Sequence, residues 1–361
     1  MPTVPVGSKI LVSGANGFIA VWIVRTLLEK GFVVRGTVRS GKKGEYLRNL
    51  FKGYGDRFET VIVEDITEVH GAFDEAVKGV DAIEHTASPV DFKVEDPQEY
   101  IKPAVHGTIG VLESALKYGK NSVKRIVITS STATIVKPVS EPTILSEEDW
   151  NNFSVKEVEE KGRDAPGQAK YRASKTLAEK AAWAFYTEHK SQIPWDLVVI
   201  NPPFVFGPSI QEVPNLSALG ISASEWYERV VTGSKDAEGA SNWVDVRDLA
   251  EAHVRALERE EAAAERIIVS AGPYKWQEWL DIVNSFNPSP IPSHPNLPEG
   301  NPESNDKVYL LEYDASKAAR VLGMIPGREG ASLGLTGDKV RYRTMEECAR
   351  DMLADFESKG W

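Results

Sequence analysis

Cysteine is nearly absent from this 361-residue chain: Cys348 stands alone. A single thiol excludes an internal disulfide framework and any zinc or iron–sulfur site that needs several cysteines. Histidine is also scarce. His70, His85, His106, His189, His253 and His294 are scattered, with no i,i+4 pair, so no metal is expected. Long apolar runs are missing. Ile10-Leu11-Val12 is cut at once by Ser13-Gly14-Ala15-Asn16-Gly17, too short a run for a secretory signal. No window reaches the ~20 apolar residues of a spanning helix. Basic residues are outnumbered, 42 Lys+Arg against 53 Asp+Glu, for a net charge of −11. Nucleic-acid binding needs a concentrated basic face, which this balance argues against. These absences point to a cytoplasmic monomer or homodimer with a small-molecule partner, and to neither nucleic acid nor membrane.

What is present is a sizeable core, 42% apolar, in a length that suits two domains or one large one. Lys9–Ser13, Phe32–Val38, Phe58–Val63, Asp81–His85, Arg125–Thr129 and Trp195–Ile200 read as short buried strands. Helical patterns lie between them at Gly17–Lys30, Lys43–Lys52, Gly71–Lys78, Pro97–Tyr118 and Gln168–His189. This alternation predicts an α/β fold, a Rossmann-type doubly wound parallel sheet. Composition shifts after Pro202-Pro203. Segment 207–243 is rich in Gly, Ser and Pro, with an aromatic helix expected at Ser222–Thr232, and 286–306 holds six prolines in 21 residues. The division predicted is residues 1–203 as the nucleotide-binding domain and 204–361 as a smaller substrate lobe. Parts of 240–271, including the strand pattern Arg266–Ser270, return to the main sheet, so the lobe is partly discontinuous.

Ser13-Gly14-Ala15-Asn16-Gly17-Phe18-Ile19-Ala20 joins the first strand to the first helix. Gly14 permits a tight turn, Gly17 a close approach of diphosphate to the backbone, and the N–H groups at the helix start face its charge. The strand–turn–helix context is what this motif requires. A Walker-type loop is excluded because no Gly-Lys-Ser/Thr follows. The second strand ends Val38-Arg39-Ser40-Gly41-Lys42-Lys43, with no acid until Glu45. Arg39, with Lys43 nearby, suits the 2′-phosphate of NADP(H), where an acid would suit the 2′-hydroxyl of NAD. Asp65, beside Ile66, could accept from the adenine amino group or be an ordinary strand-end acid. Thr86, Ala87 and Ser88 are small residues that would let the cofactor pass the end of the fourth strand.

Tyr171-Arg172-Ala173-Ser174-Lys175 puts a phenol and an ammonium at i and i+4, on one helix face. A neighbouring ammonium lowers a phenol's pKa and fits it for proton exchange with a carbonyl or alcohol. Thr129-Ser130-Ser131-Thr132 closes the fifth strand, where a hydroxyl can point into the cofactor crevice.

Together with Asn201-Pro202-Pro203-Phe204-Val205-Phe206-Gly207-Pro208, these motifs make the chain resemble the extended short-chain dehydrogenase/reductases over about residues 8–270. It is most similar to their dihydroflavonol-reductase-like branch, especially yeast and fungal NADPH-dependent aldehyde and ketone reductases. The resemblance implies Ser131, Tyr171 and Lys175 as catalytic residues, Pro202 and Val205 against the nicotinamide, Thr129 at the cofactor and Arg39 at the 2′-phosphate. It implies reduction of a carbonyl to an alcohol, with Tyr171 as proton donor. Two departures stand out: Ala20 at the third glycine position, and His106-Gly107-Thr108 where many members have Asn-Gly-Thr.

An apolar, partly aromatic substrate pocket is expected from Val90, Phe92, Ala133, Phe204, Phe206, Trp226, Tyr227 and Trp243, each of which could instead be lobe core. Asp245 and Arg247 read as structural. Two rival functions keep the fold: a nucleotide-sugar epimerase/dehydratase or hydroxysteroid dehydrogenase, and a non-catalytic NADP(H) sensor. The basic end of the second strand argues against the first, and an intact Ser131/Tyr171/Lys175 set against the second.

Overall fold

Short β-branched runs between amphipathic stretches fold as parallel strands joined by helices. The computed structural model describes residues 3–68, 70–88, 95–302, 308–327 and 339–361. In chain order the first elements are β1 (Lys9–Ser13), α1 (Phe18–Glu29), β2 (Val33–Val38), α2 (Gly41–Leu50), β3 (Phe58–Ile62), α3 (Asp74–Val77), β4 (Ala82–His85), α4 (Gln98–Tyr118), β5 (Arg125–Thr129), β6 (Thr143–Leu145), α5 (Asn152–Lys161), α6 (Gly167–His189) and β7 (Asp196–Asn201). Then follow β8 (Phe204–Phe206), α7 (Ile221–Trp226), β9 (Ala240–Asp245), α8 (Val246–Glu258), β10 (Arg266–Ile268), β11 (Gly272–Lys275), α9 (Trp276–Ser285), β12 (Leu311–Tyr313), β13 (Met324–Ile325), β14 (Val340–Arg341) and α10 (Met345–Ser358). Among the described residues no helix is long and apolar enough to cross a membrane.

The chain divides into two units. The first comprises 1–138, 147–201 and 250–267, and the second 139–146, 202–249 and 268–361. The first unit contains the seven-stranded sheet, ordered β10-β7-β5-β4-β1-β2-β3 and parallel. Winding runs outward from β1 to β3, then reverses through β4, which makes the carboxyl ends of β1 and β4 the switch point where such folds bind ligands. Ser13 and His85 are register partners there. Below them Leu11, Ile83, Ile126, Ile128, Leu197 and Val199 pack against Val111, Leu112 and Ala115 of α4. Each such fully buried aliphatic side chain contributes roughly 1.5–3 kcal/mol, which makes the strand ends a rigid platform.

The second unit holds the three-stranded sheet β11-β9-β8, the pairs β12-β6 and β13-β14, and an aromatic core. Where the sequence placed the break after 203, the first unit ends at Asn201, and the part that returns is 250–267. Residues 139–146 also leave the first unit, because β6 pairs with β12. That partner lies far along the chain and leaves no local signal. The helix expected over Ser222–Thr232 is interrupted: α7 ends at Trp226 and continues as a π-helical turn, Tyr227–Val231.

Candidate active site

The glycine turn is built by close approach. Gly14 has φ +62°, and its N–H donates to Thr37 Oγ1 at 3.0 Å. A Cβ there would come 3.1 Å from the Ala87 Cβ, and one on Gly36 2.7 Å from the Ala15 Cβ. Gly17 leaves α1 without a side-chain cap, and no acid stands in the first turn. The orphan N–H groups at the helix start are therefore free for an anion. Asn16, Gly17, Phe18 and Ile19 stay partly accessible around it.

Ser13 closes the floor of this turn. Its Oγ accepts the N–H groups of Thr86 and Ala87, each at 3.0 Å, and lies 3.0 Å from His85 Nδ1. With both lone pairs used, the hydroxyl proton goes to Nδ1, which puts the imidazole proton on Nε2. Burial, with the Lys175 charge nearby, holds His85 down to about 3, so the ring is neutral at working pH. Ser88 and Lys175 line the same cleft as His85 and Ala87, together with Ala104 and Thr108 of α4. Thr108, from the His106-Gly107-Thr108 departure, is buried, with its Oγ1 on the Ala104 carbonyl.

At the end of β2, Arg39 is exposed, with no hydrogen bond or ion pair to any described residue. It stands just before α2, whose first turn also lacks an acid. Lys43, two residues into α2, is half-buried. Asp65 is exposed and accepts the Thr67 N–H at 2.8 Å, and hydrogen bonds to Thr67 hold its carboxyl below the ordinary value. Ile66 packs toward Gly107 of α4.

The three expected catalytic side chains belong to one unit. Ser131 follows β5 and caps the short turn Thr132–Thr134, accepting the Ala133 N–H at 3.0 Å. Its hydroxyl is hydrogen-bonded to Tyr171 on α6. Lys175 lies one turn further along that helix. Burial raises the Tyr171 phenol above its ordinary value, opposed by the Ser131 hydrogen bond. The expectation that Lys175 lowers this phenol is corrected: burial outweighs, and the opposing contact is Ser131. Burial also draws the Lys175 ammonium down to about 8, against the raising effect of Glu179.

Some expected residues sit elsewhere. The Thr129 hydroxyl lies 3.2 Å from His253 Nε2, and His253 Nδ1 lies 2.7 Å from Glu84 Oε2, so a buried pair engages it although Thr129 also lines the cleft. Pro202 and Val205 are buried and belong to the second unit. Phe206, Trp226, Tyr227 and Trp243 are corrected from pocket to core. They pack with Tyr274, Trp276, Trp279 and Phe356, and Phe206 and Trp226 have no exposed surface. Phe204 remains partly exposed, while Ala133 is buried in the Ser131 turn. Val90 and Phe92 lie outside the described residues. Asp245 bonds the Arg247 guanidinium, and Arg247 also pairs with Asp351, a structural cluster as expected.

Sequence reasoning missed Glu179 and Arg266, a buried pair beside Ser130. A signal was available: Glu179 continues the spacing Tyr171, Lys175, and Arg266 heads an otherwise apolar strand.

Comparison with known proteins agrees with this fold. The profile described as the NAD dependent epimerase/dehydratase family matches residues 10–272. Ketoreductase azaE of Aspergillus niger is 38% identical over 330 residues, covering 88% of this chain and 92% of its own. Aldehyde reductase 2 of Sporidiobolus salmonicolor is 32% identical over 360 residues, covering 97% and 96%. The crystal structure of yeast methylglyoxal/isovaleraldehyde reductase Gre2 complexed with NADPH superimposes with a TM-score of 0.82 at 30% identity, covering 98% of this chain and 99% of that one. The chain therefore belongs to the NAD dependent epimerase/dehydratase family, the extended short-chain dehydrogenase/reductases, and within it is similar to fungal NADPH-dependent carbonyl reductases.

Proposed function

We propose that this chain reduces an aldehyde or ketone to an alcohol with NADPH. The observation that carries the reading is the hydrogen bond between Ser131 and Tyr171, with Lys175 one turn along the same helix. An anchored hydroxyl and a protonated phenol at one point form a donor pair for a carbonyl oxygen.

The residues present fit the cofactor. The uncapped start of α1 and the close-packed Gly14 turn would take the diphosphate, and the free Arg39 guanidinium the 2′-phosphate. Asn16, Phe18 and Ile19 would line the phosphate turn, Lys43 would add charge, and Asp65 and Ile66 would flank the adenine. Thr86, Ala87 and Ser88 would border the remainder. Bound NADPH supplies a hydride to the carbonyl carbon. Ser131, its oxygen tied to the Ala133 N–H, would turn its proton from Tyr171 to the substrate oxygen. Tyr171 gives its proton to that oxygen as the alcohol forms. Burial helps here, because a raised phenol pKa keeps Tyr171 protonated, the form reduction needs. Lys175 holds the cofactor ribose and supplies positive charge as Tyr171 loses its proton.

The test is an NADPH-oxidation screen over aryl ketones, β-keto esters, aldehydes and dihydroflavonols, repeated with NADH. The reading expects turnover of some carbonyls with NADPH and much less with NADH. A protein that binds NADPH tightly but turns over no carbonyl or alcohol is instead a sensor. One that retains NAD through purification is an epimerase or dehydratase.

A further inference from the structure

Glu179 is a buried carboxylate that the reductive scheme leaves unused. Its Oε2 accepts from Ser130 Oγ at 2.5 Å, Thr134 Oγ1 at 2.8 Å and Asn201 Nδ2 at 2.9 Å, and its Oε1 accepts from Arg266 Nε. Arg266 is itself buried. It donates to the carbonyls of Glu147 and Asp149, and its guanidinium lies 3.7 Å from the Trp150 ring centroid. Burying a carboxylate is costly unless donors and an opposite charge meet it, and here both do.

The donors are not arbitrary ones. Ser130 directly precedes Ser131, and Thr134 ends the turn that Ser131 caps. The Ser131 carbonyl is held as well, by Asn201 Nδ2 at 3.2 Å. Both sides of the proposed catalytic serine thus converge on one carboxylate. Glu179 also continues the helix face that carries Tyr171 and Lys175, at i, i+4 and i+8.

We propose that Glu179, ion-paired with Arg266, is a positioning residue for carbonyl reduction: it clamps the segment presenting Ser131 and sets a carboxylate one helical turn from Lys175. The proposal rests on the reductase reading of this site. Lys175 lies near His85 from β4 and Glu179 from α6, with Arg266 of β10 behind Glu179 and Tyr171 one turn earlier on α6. Among the described residues, α4 lines the cleft with Ala104 and Thr108. Of these groups Glu179 is the one acid, so removing its charge makes the Lys175 ammonium harder to keep.

The test uses the full-length chain in two variants. Glu179→Gln keeps the shape and removes the charge. Glu179→Gln with Arg266→Gln removes the buried pair together and leaves no orphan guanidinium, so it decides the matter if the single variant does not fold. The first readout needs no substrate: the pH midpoint of Lys175 reductive methylation by formaldehyde and cyanoborohydride, read by peptide mass spectrometry. The second is the pH profile of kcat/KM for NADPH-dependent reduction. The midpoint is expected to fall by about one pH unit in Glu179→Gln, and by less but in the same direction in the double variant. The alkaline limb of the profile is expected to move with it, and Glu179→Asp to restore most of the shift. A folded variant with an unchanged midpoint overturns the proposal. If the natural chain reduces no carbonyl, the reductase reading fails while the methylation midpoint still judges the link between Glu179 and Lys175.

Discussion

Ser13 and His85 are joined side chain to side chain at 3.0 Å, between the carboxyl ends of the first and fourth strands. Their bond fixes the imidazole tautomer at the base of the cleft and ties the glycine turn to the platform below it. Burial keeps His85 neutral, with its pKa down to about 3. The unfolded chain would bind that proton near ~6.5. The stability linked to His85 is therefore complete above pH ~6.5 and is lost as pH falls toward 3, at up to about 1.4 kcal/mol per unit. His85→Asn, whose amide oxygen can still take the Ser13 proton, is predicted to lose about 2 kcal/mol less than the natural chain between pH 7 and 5. Denaturant midpoints at the two values measure this, and equal losses contradict it.

Arg39 sits at the end of β2 with no partner among the described residues. Replacing it with Ala is predicted to raise KM for NADPH by about 10- to 100-fold, the worth of a charge-assisted phosphate contact. KM for NADH should change little. Steady-state kinetics with both cofactors tests this, and an equal effect on the two removes Arg39 from the 2′-phosphate site.

Ser131→Ala removes one of the two donors aimed at the carbonyl oxygen. It is predicted to lower kcat by about 10²- to 10³-fold. Loss of the cap on the Thr132–Thr134 turn should cost only about 1 kcal/mol in stability. Kinetics and thermal melts together separate the two effects.

The aromatic set of the second unit divides into a fully buried core and a partly exposed margin that includes Phe204. Trp226 is fully buried, with its ring edge-on to Trp279 at 5.8 Å between centroids. Trp226→Ala is predicted to destabilise the protein by about 3–5 kcal/mol. Phe204→Ala, at a partly exposed ring stacked on Phe206, is predicted to cost less than Trp226→Ala. The same melts on both variants check the division.

The legible parts were those whose meaning is local. The strands of the main sheet, the glycine turn between the first strand and helix, and the placing of Tyr171 and Lys175 on one helix all follow from short, fixed spacing in the sequence. The Glu84–His253 pair spans 169 residues and the Glu179–Arg266 pair 87, so only folding reveals them. The pairing of Thr143–Leu145 with Leu311–Tyr313 was hidden for the same reason. Trp and Tyr in the second unit misled because a large aromatic serves a core and a pocket equally well. Burial decides between the two, and composition does not report burial. The phenol's pKa was misjudged because spacing along a helix reveals a neighbouring charge but not the desolvation that outweighs it.

The proton donor is the centre of this account, and Tyr171→Phe tests it most directly, with NADPH-dependent reduction of a good substrate measured beside NADPH affinity. The prediction is a kcat lower by about 10²- to 10⁴-fold, with NADPH affinity within a few-fold of the natural chain. Reduction continuing near the original rate would contradict it.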